Sequence, residues 1–127
     1  MSVIAMYIVV FICAYGSDYP VDLPNALNDI QMAMTRKSTR HCNFYELYKD
    51  MEPDIKEECV TLKEAIKAHT INVAYQFHRE DITGSLEVGK SADFVILDSD
   101  IEKTPIDKII DLTIVETVFK GNTTYKK

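Results

Sequence analysis

The chain of 127 residues has little positive charge, few cysteines and no long apolar run. Its 14 lysines and arginines stand against 20 acidic residues, and the net charge of −6 disfavours the basic surface typical of a nucleic-acid-binding protein. Its 3 cysteines are an odd number without close spacing, which favours reduced thiols over a disulfide framework. We therefore expect a cytoplasmic protein with no nucleic-acid partner.

The longest apolar run, Val3 to Ala14, is too short to cross a membrane. It has about a dozen residues, whereas a transmembrane helix needs about 20. A secretion signal followed by a mature protein starting near Ser17 is an alternative, but no lysine or arginine precedes the run. Valine, isoleucine, tyrosine and phenylalanine are frequent in it, so we predict a buried strand ending before Asp18 and no membrane partner.

The rest of the composition is ordinary for a globular protein, with 46% apolar and 27% charged residues. Apolar residues recur at helical spacing from Leu23 to Met34, which predicts a helix from about Pro24 to Arg36, with Pro24 in its first turn. Arg36 and Arg40 are interpreted as solvated charges near the helix end rather than as substrate clamps.

A second helix is predicted from Thr61 to Phe77. Thr61 and Glu64 have the spacing of a capping box, and one face of the following residues is apolar. His69 lies on that face, where a core histidine satisfied by one hydrogen bond is favoured over a ligand.

The C-terminal part of the chain has the texture of a small sheet. We predict a strand at Phe94 to Leu97, a short helix beginning near Pro105 and a strand at about Leu112 to Phe119. A Gly121-Asn122 turn then leads into a final short strand.

Four motifs in this order resemble the C-terminal end of the amidohydrolase superfamily, of the amidohydrolase-3 type. The resemblance covers about residues 12 to 125. Its motifs are GSDYPV (16–21), LNDIQMAMTR (27–36), TLKEAIKAHTINVAYQF (61–77) and GSLEVGKSADFVILDSDI (84–101).

The resemblance implies an α/β fold, a metal-bearing (β/α)₈ barrel with a small β-sandwich attached. Such a barrel takes about 250 residues, so this chain is expected to supply only the last strand, its helices and part of the sandwich. The incomplete barrel is expected at residues 1–80 and the sandwich portion at 81–127. We therefore expect a fragment or a truncated gene product. Because residues 1–10 fit the family poorly, we also expect that the family sequence has been replaced upstream of about Phe11.

Asp18 matches the family's aspartate at the end of the eighth strand. The resemblance implies that it coordinates or flanks a divalent metal, with zinc first in preference, and carries a proton from the metal-bound water to the leaving nitrogen. The rest of the metal site has no counterpart, because His41, His69 and His78 lack His-x-His spacing. Since zinc needs about three protein ligands, we expect this chain to bind no metal.

A metal site built from His41, Cys42 and Cys59 is a weaker alternative. Cysteine and histidine are natural zinc ligands, but no CxxC or HxxxH spacing supports this grouping.

Three functions remain open. The favoured one is the C-terminal portion of a metal-dependent amidohydrolase for small amides, ureas or cyclic imides, inactive as this isolated chain. The second is a non-catalytic module that forms homo-oligomers by pairing exposed sheet edges. The third is a small secreted protein starting near Ser17, which the resemblance disfavours because it includes residues on both sides of that point.

Overall fold

A computed structural model describes residues 12–20, 22–52 and 58–127. Most of the strand predicted at Val3 to Ala14 lies outside these residues. Residues 12–17 have no regular secondary structure, and Ile12 is 49% exposed, so the buried-strand prediction is wrong for this part. A strand needs a neighbouring strand for its backbone hydrogen bonds, whereas here the Tyr15 N–H donates to the carbonyl of Ala68 in a helix.

Helix α1, Ala26–Thr35, confirms the first helix prediction with a different start. The Asn25 side chain caps it by accepting hydrogen bonds from the N–H groups of Leu27 and Asn28. Pro24 therefore precedes the cap and does not occupy the first turn. Arg36 ends the helix in a left-handed conformation, with φ 55°, and its N–H donates to the Met32 carbonyl. The one-turn helix α2, Tyr45–Tyr48, follows.

The single helix predicted from Thr61 to Phe77 is two helices in the structure, α3, Leu62–His69, and α4, Ile71–Gln76. The predicted capping box is present at the start of α3. The break is at Thr70, whose φ of −128° and ψ of −96° are not helical. The Thr70 hydroxyl donates to the Ile66 carbonyl, a local bond of the kind that bends helices. Phe77, the last residue of the predicted helix, lies just beyond α4 and is 72% exposed.

Three antiparallel strands form one sheet in the order β1-β2-β3. Their bounds are Phe94–Leu97, Ile114–Phe119 and Asn122–Lys126. Lys120 and Gly121, with φ 51° and 75°, form the tight turn between the last two strands, one residue earlier than predicted. The short helix expected near Pro105 is a 3₁₀ helix, Ile106–Asp111.

The core lies between the helices and the 3₁₀ helix. Leu27, Ile30, Ala65 and Ile109 form its buried cluster. The buried Gln31 side chain accepts a hydrogen bond from the Ile110 N–H at 3.0 Å, which ties α1 to the 3₁₀ helix. The helical part is therefore joined to the C-terminal part through residues that precede β2.

The helices of the described residues are all too short or too polar to span a membrane.

Candidate active site

Asp18 lies in an exposed turn at residues 18–20, just before α1. Its backbone has φ 50°, a left-handed conformation that is uncommon outside glycine and that aspartate tolerates better than most residues. The turn replaces the strand end predicted at this point. It presents the Asp18 carboxylate to solvent, where a small molecule could reach it.

Asp22 fixes the downstream side of this turn. Its N–H donates to the Ser17 carbonyl at 3.2 Å. Its carboxylate accepts hydrogen bonds from the N–H groups of Leu23, at 2.8 Å, and Asn43, at 3.2 Å. The chain that leaves the turn is therefore hydrogen-bonded both to Ser17, before the turn, and to Asn43, in the loop after α1.

The junction between α3 and α4 fixes the upstream side. The Tyr15 N–H donates to the Ala68 carbonyl at 3.0 Å, and the Asn72 side chain donates to the Cys13 carbonyl at 2.7 Å. In an unbroken helix the Ala68 carbonyl would accept the N–H four residues later. Because the helix breaks at Thr70, this carbonyl can accept from Tyr15 instead.

His69, the last residue of α3, packs against Tyr15. Its side chain is 10% exposed, and its Nδ1 lies 2.9 Å from the Ala65 carbonyl, which confirms the predicted core histidine with one hydrogen bond. Because a carbonyl can only accept, Nδ1 carries a proton. The Tyr15 and His69 rings meet edge to face, with centroids 5.7 Å apart.

Asp29 of α1 faces the other nitrogen of His69. Its Oδ2 lies 3.6 Å from His69 Nε2, which is too long for a hydrogen bond. Burial, the largest influence, raises the pKa of the Asp29 carboxyl, against the opposing effects of Asn28 and His69. The Nε2 atom is buried and has no hydrogen-bond partner among the described residues.

The other predicted candidates do not gather around Asp18. His41 and His78 are exposed, while Cys42 and Cys59 are half-buried. Within residues 12–20, 22–52 and 58–127, no three histidine, cysteine or acidic side chains are close enough to hold a metal ion. The described residues therefore do not by themselves fit the metal that the resemblance implies.

The two arginines near the end of α1 are paired with acidic residues. Arg36 lies 3.7 Å from the Glu58 carboxylate, and Arg40 pairs with Asp111 of the 3₁₀ helix. Arg40 is thus not simply a solvated charge, because its ion pair spans the two parts of the chain.

Asp29 and Tyr15 are site residues that the sequence did not single out. An aspartate in the first turn of a helix is common, because it interacts favourably with the helix dipole. Nothing in the local pattern shows that Asp29 meets His69. Only the packing of α1 against α3 brings the two side chains together.

The sequence matches the profile of the Amidohydrolase family over residues 11–125. This range includes Asp18, the capped helix α3, the first two strands and all but the last residue of β3. The chain therefore belongs to the amidohydrolase family. The match also begins before Ser17, so it gives no support to a mature protein starting there.

Three relatives show how the chain compares with individual proteins. YtcJ of Bacillus subtilis, named as an amidohydrolase, is 33% identical over 117 residues, which are 91% of this chain and 21% of YtcJ. An imidazolonepropionase of Bacteroides fragilis is 42% identical over 66 residues, 52% of this chain and 16% of that protein. The N-substituted formamide deformylase of Arthrobacter pascens is 34% identical over 77 residues, 61% of this chain and 14% of that protein.

The chain spans about a fifth of the length of YtcJ and a smaller share of the other two relatives. No solved structure matches it at a comparable level.

Proposed function

We propose that this chain is the C-terminal portion of a metal-dependent amidohydrolase that cleaves carbon–nitrogen bonds other than peptide bonds in small amides, ureas or cyclic imides. The family match over residues 11–125 carries this proposal. The names of two relatives, an imidazolonepropionase and an N-substituted formamide deformylase, support the substrate class. Residues 1–80 would belong to the barrel and residues 81–127 to the attached β-sandwich. The three cysteines are free, in keeping with the cytoplasmic location we propose.

Asp18 is the residue of this chain that we assign to the chemistry. It is exposed, it lies within the matched range, and the backbone on both sides of it is held by hydrogen bonds. A carboxylate held in this way can accept a proton from an attacking water and return it to the departing nitrogen.

The remaining groups of the site would come from outside this chain. A catalytic zinc usually has about three protein ligands, and the described residues bring no such set together. We therefore propose that the 127-residue chain holds no catalytic metal and hydrolyses no amide alone.

A chimera tests the assignment of Asp18. The segment of YtcJ that matches this chain is replaced by residues 12–127, and hydrolysis is measured on a compound from a panel of small amides, ureas and cyclic imides on which unaltered YtcJ is first shown to be active. We expect the chimera to retain turnover, and Asp18→Asn to lower kcat by about 10²–10⁴-fold, the range for removing a proton-transfer group. Asp107→Asn, the same change at an exposed position of the 3₁₀ helix, is the matched control and should leave kcat unchanged.

Two results would contradict the assignment. One is an Asp18→Asn chimera that hydrolyses as fast as the unaltered chimera. The other is an equal loss in both variants, which would show that the loss follows from the chimera and not from Asp18. Thermal unfolding of each chimera checks that the two variants are equally folded.

A second candidate function is a pairing module that forms homo-oligomers. Strand β1 has the sequence FVIL and lies at one edge of the sheet. Its Val95 and Ile96 side chains are 51% and 44% exposed. An uncharged apolar edge strand is a template for pairing with another strand, so the chain's mass in solution tests this candidate.

A further inference from the structure

Three side chains from different parts of the chain lie near the segment that leads into the Asp18 turn. Tyr15 precedes the turn, Asp29 lies in the first part of α1, and His69 ends α3. Together we name these residues the Tyr15–His69–Asp29 support. The proposed chemistry uses none of them directly, yet His69 packs against Tyr15, and Asp29 lines the same cavity as Gly16 and Ser17, which lead into Asp18.

The support begins with a backbone bond. The Tyr15 N–H donates to the Ala68 carbonyl, which lies in the last turn of α3, just before the interruption at Thr70. The Tyr15 ring then meets the His69 ring edge to face, with an angle of 64° between the planes. The position of Tyr15, three residues before Asp18, therefore depends on where His69 lies.

The Ala65 carbonyl holds one nitrogen of His69 in turn, and Asp29 faces the other. Nδ1 donates to Ala65, so only Nε2 is available to Asp29 Oδ2, 3.6 Å away. Both side chains are at least 85% buried, since 10% of His69 and 15% of Asp29 is exposed. An unpaired buried Nε2 is costly, and a proton held between Nε2 and the carboxylate would let the two groups close into a hydrogen bond.

We infer that His69 and Asp29 are positioning residues for Asp18: they hold α1 against α3 and fix, through the Tyr15 ring, the backbone that enters the Asp18 turn. This inference rests on the proposed function, in which Asp18 is the reacting carboxylate. The two residues act through Tyr15 and need not touch substrate.

Amide hydrogen exchange in the 127-residue chain, followed by NMR, tests the support without any need for activity. His69→Phe keeps a ring against Tyr15 but removes both nitrogens, and Asp29→Leu removes the carboxylate. We expect each variant to speed exchange of the Tyr15 amide at least about tenfold, with the amides of β2 unchanged, because local opening is independent of global unfolding. His41→Phe, the same change at an exposed histidine, is the control and should leave the Tyr15 amide unchanged.

Two results of this experiment would overturn the inference. The first is Tyr15 exchange in the His69 and Asp29 variants equal to that of the control. The second is an equal acceleration at every amide, which would mean that the pair only adds stability to the whole fold.

The YtcJ chimera separates this inference from the proposed function. There His69→Phe should lower kcat with KM unchanged, because the substrate contacts are intact while the carboxylate is displaced. A change in KM with kcat unaltered would overturn the positioning role. Hydrolysis that survives Asp18→Asn would instead overturn the proposed function, so the two failures are distinguishable.

Discussion

Gly84 shows how one residue controls the packing of the loop that follows α4. Its φ is +91°, and a Cβ there would lie 2.7 Å from the Ala74 Cβ and 3.0 Å from the Ile71 Cα. We predict that Gly84→Ala lowers the free energy of unfolding by about 2–4 kcal/mol, combining the clash with the backbone strain. Urea unfolding measures this loss.

Gly89 is the matched control for that change. Its φ of +97° is similar, but no atom lies within 4 Å of where its Cβ would be. Gly89→Ala should therefore cost only the backbone strain, about 1–2 kcal/mol. Equal losses at the two glycines would contradict the close contact described for Gly84.

Asp93 joins the loop before β1 to the turn between β2 and β3. Its carboxylate accepts hydrogen bonds from the Lys120 N–H, at 2.8 Å, the Ser91 hydroxyl, at 2.7 Å, and the Thr83 hydroxyl, at 2.8 Å. These bonds, the Lys120 bond foremost, hold the pKa of Asp93 below its usual value of 3.8. The ionised Asp93 side chain therefore stabilises the folded chain.

Because the pKa of Asp93 is lowered in the folded chain, the free energy of unfolding depends on pH. Because the unfolded chain takes up the Asp93 proton at a higher pH than the folded chain, the stabilisation is complete above the usual pKa of 3.8 and is lost as pH falls through the folded pKa. We predict that the stability difference between wild type and Asp93→Asn is constant near neutral pH and shrinks in acid. Urea unfolding across this pH range measures it, and a difference that does not change with pH would contradict the prediction.

At the scale of elements, the capping box stabilises the first turn of α3. The Glu64 N–H donates to the Thr61 hydroxyl oxygen at 3.3 Å, and the Thr61 N–H donates to the Glu64 carboxylate at 2.8 Å. Thr61→Ala should lower the free energy of unfolding by about 1 kcal/mol, the usual cost of losing a cap. Thr61→Ser keeps the hydroxyl and should stay close to wild type in thermal unfolding. Equal losses in the two variants would show that the hydroxyl does not cap the helix.

The elements that could be predicted from sequence are those with local signals. The start of α3 is visible in Thr61 and Glu64, and the turn between β2 and β3 is visible in Gly121, because each depends on residues close in sequence. The break at Thr70 and the pairing of His69 with Asp29 could not be predicted in this way. The pairing depends on segments that meet only when the chain folds, whereas the Thr70 bond to Ile66 is local but does not break every helix that contains one. Family resemblance identified Asp18, but it did not identify the Tyr15–His69–Asp29 support.

At the scale of the whole molecule, strand β1 forms an apolar edge of the sheet. We predict that the chain forms dimers or larger assemblies at micromolar concentration through β1, because its apolar edge carries no charge to block pairing. Val95→Lys places a charge on that strand and should shift the mass measured by light scattering toward the monomer. Leu86→Lys changes a 68% exposed apolar residue outside the sheet and should not. A wild-type chain that is already monomeric would contradict the pairing.

We propose that Asp18 belongs to a site whose other groups lie outside this chain. The zinc content of the isolated protein tests this proposal most directly. The 127-residue chain is equilibrated with zinc, dialysed and analysed for metal by mass spectrometry, alongside Asp18→Asn. We predict well below about 0.1 zinc per chain in both, because a single carboxylate does not replace the three ligands that zinc usually has. One zinc per wild-type chain, lost together with amide hydrolysis in Asp18→Asn, would contradict this account.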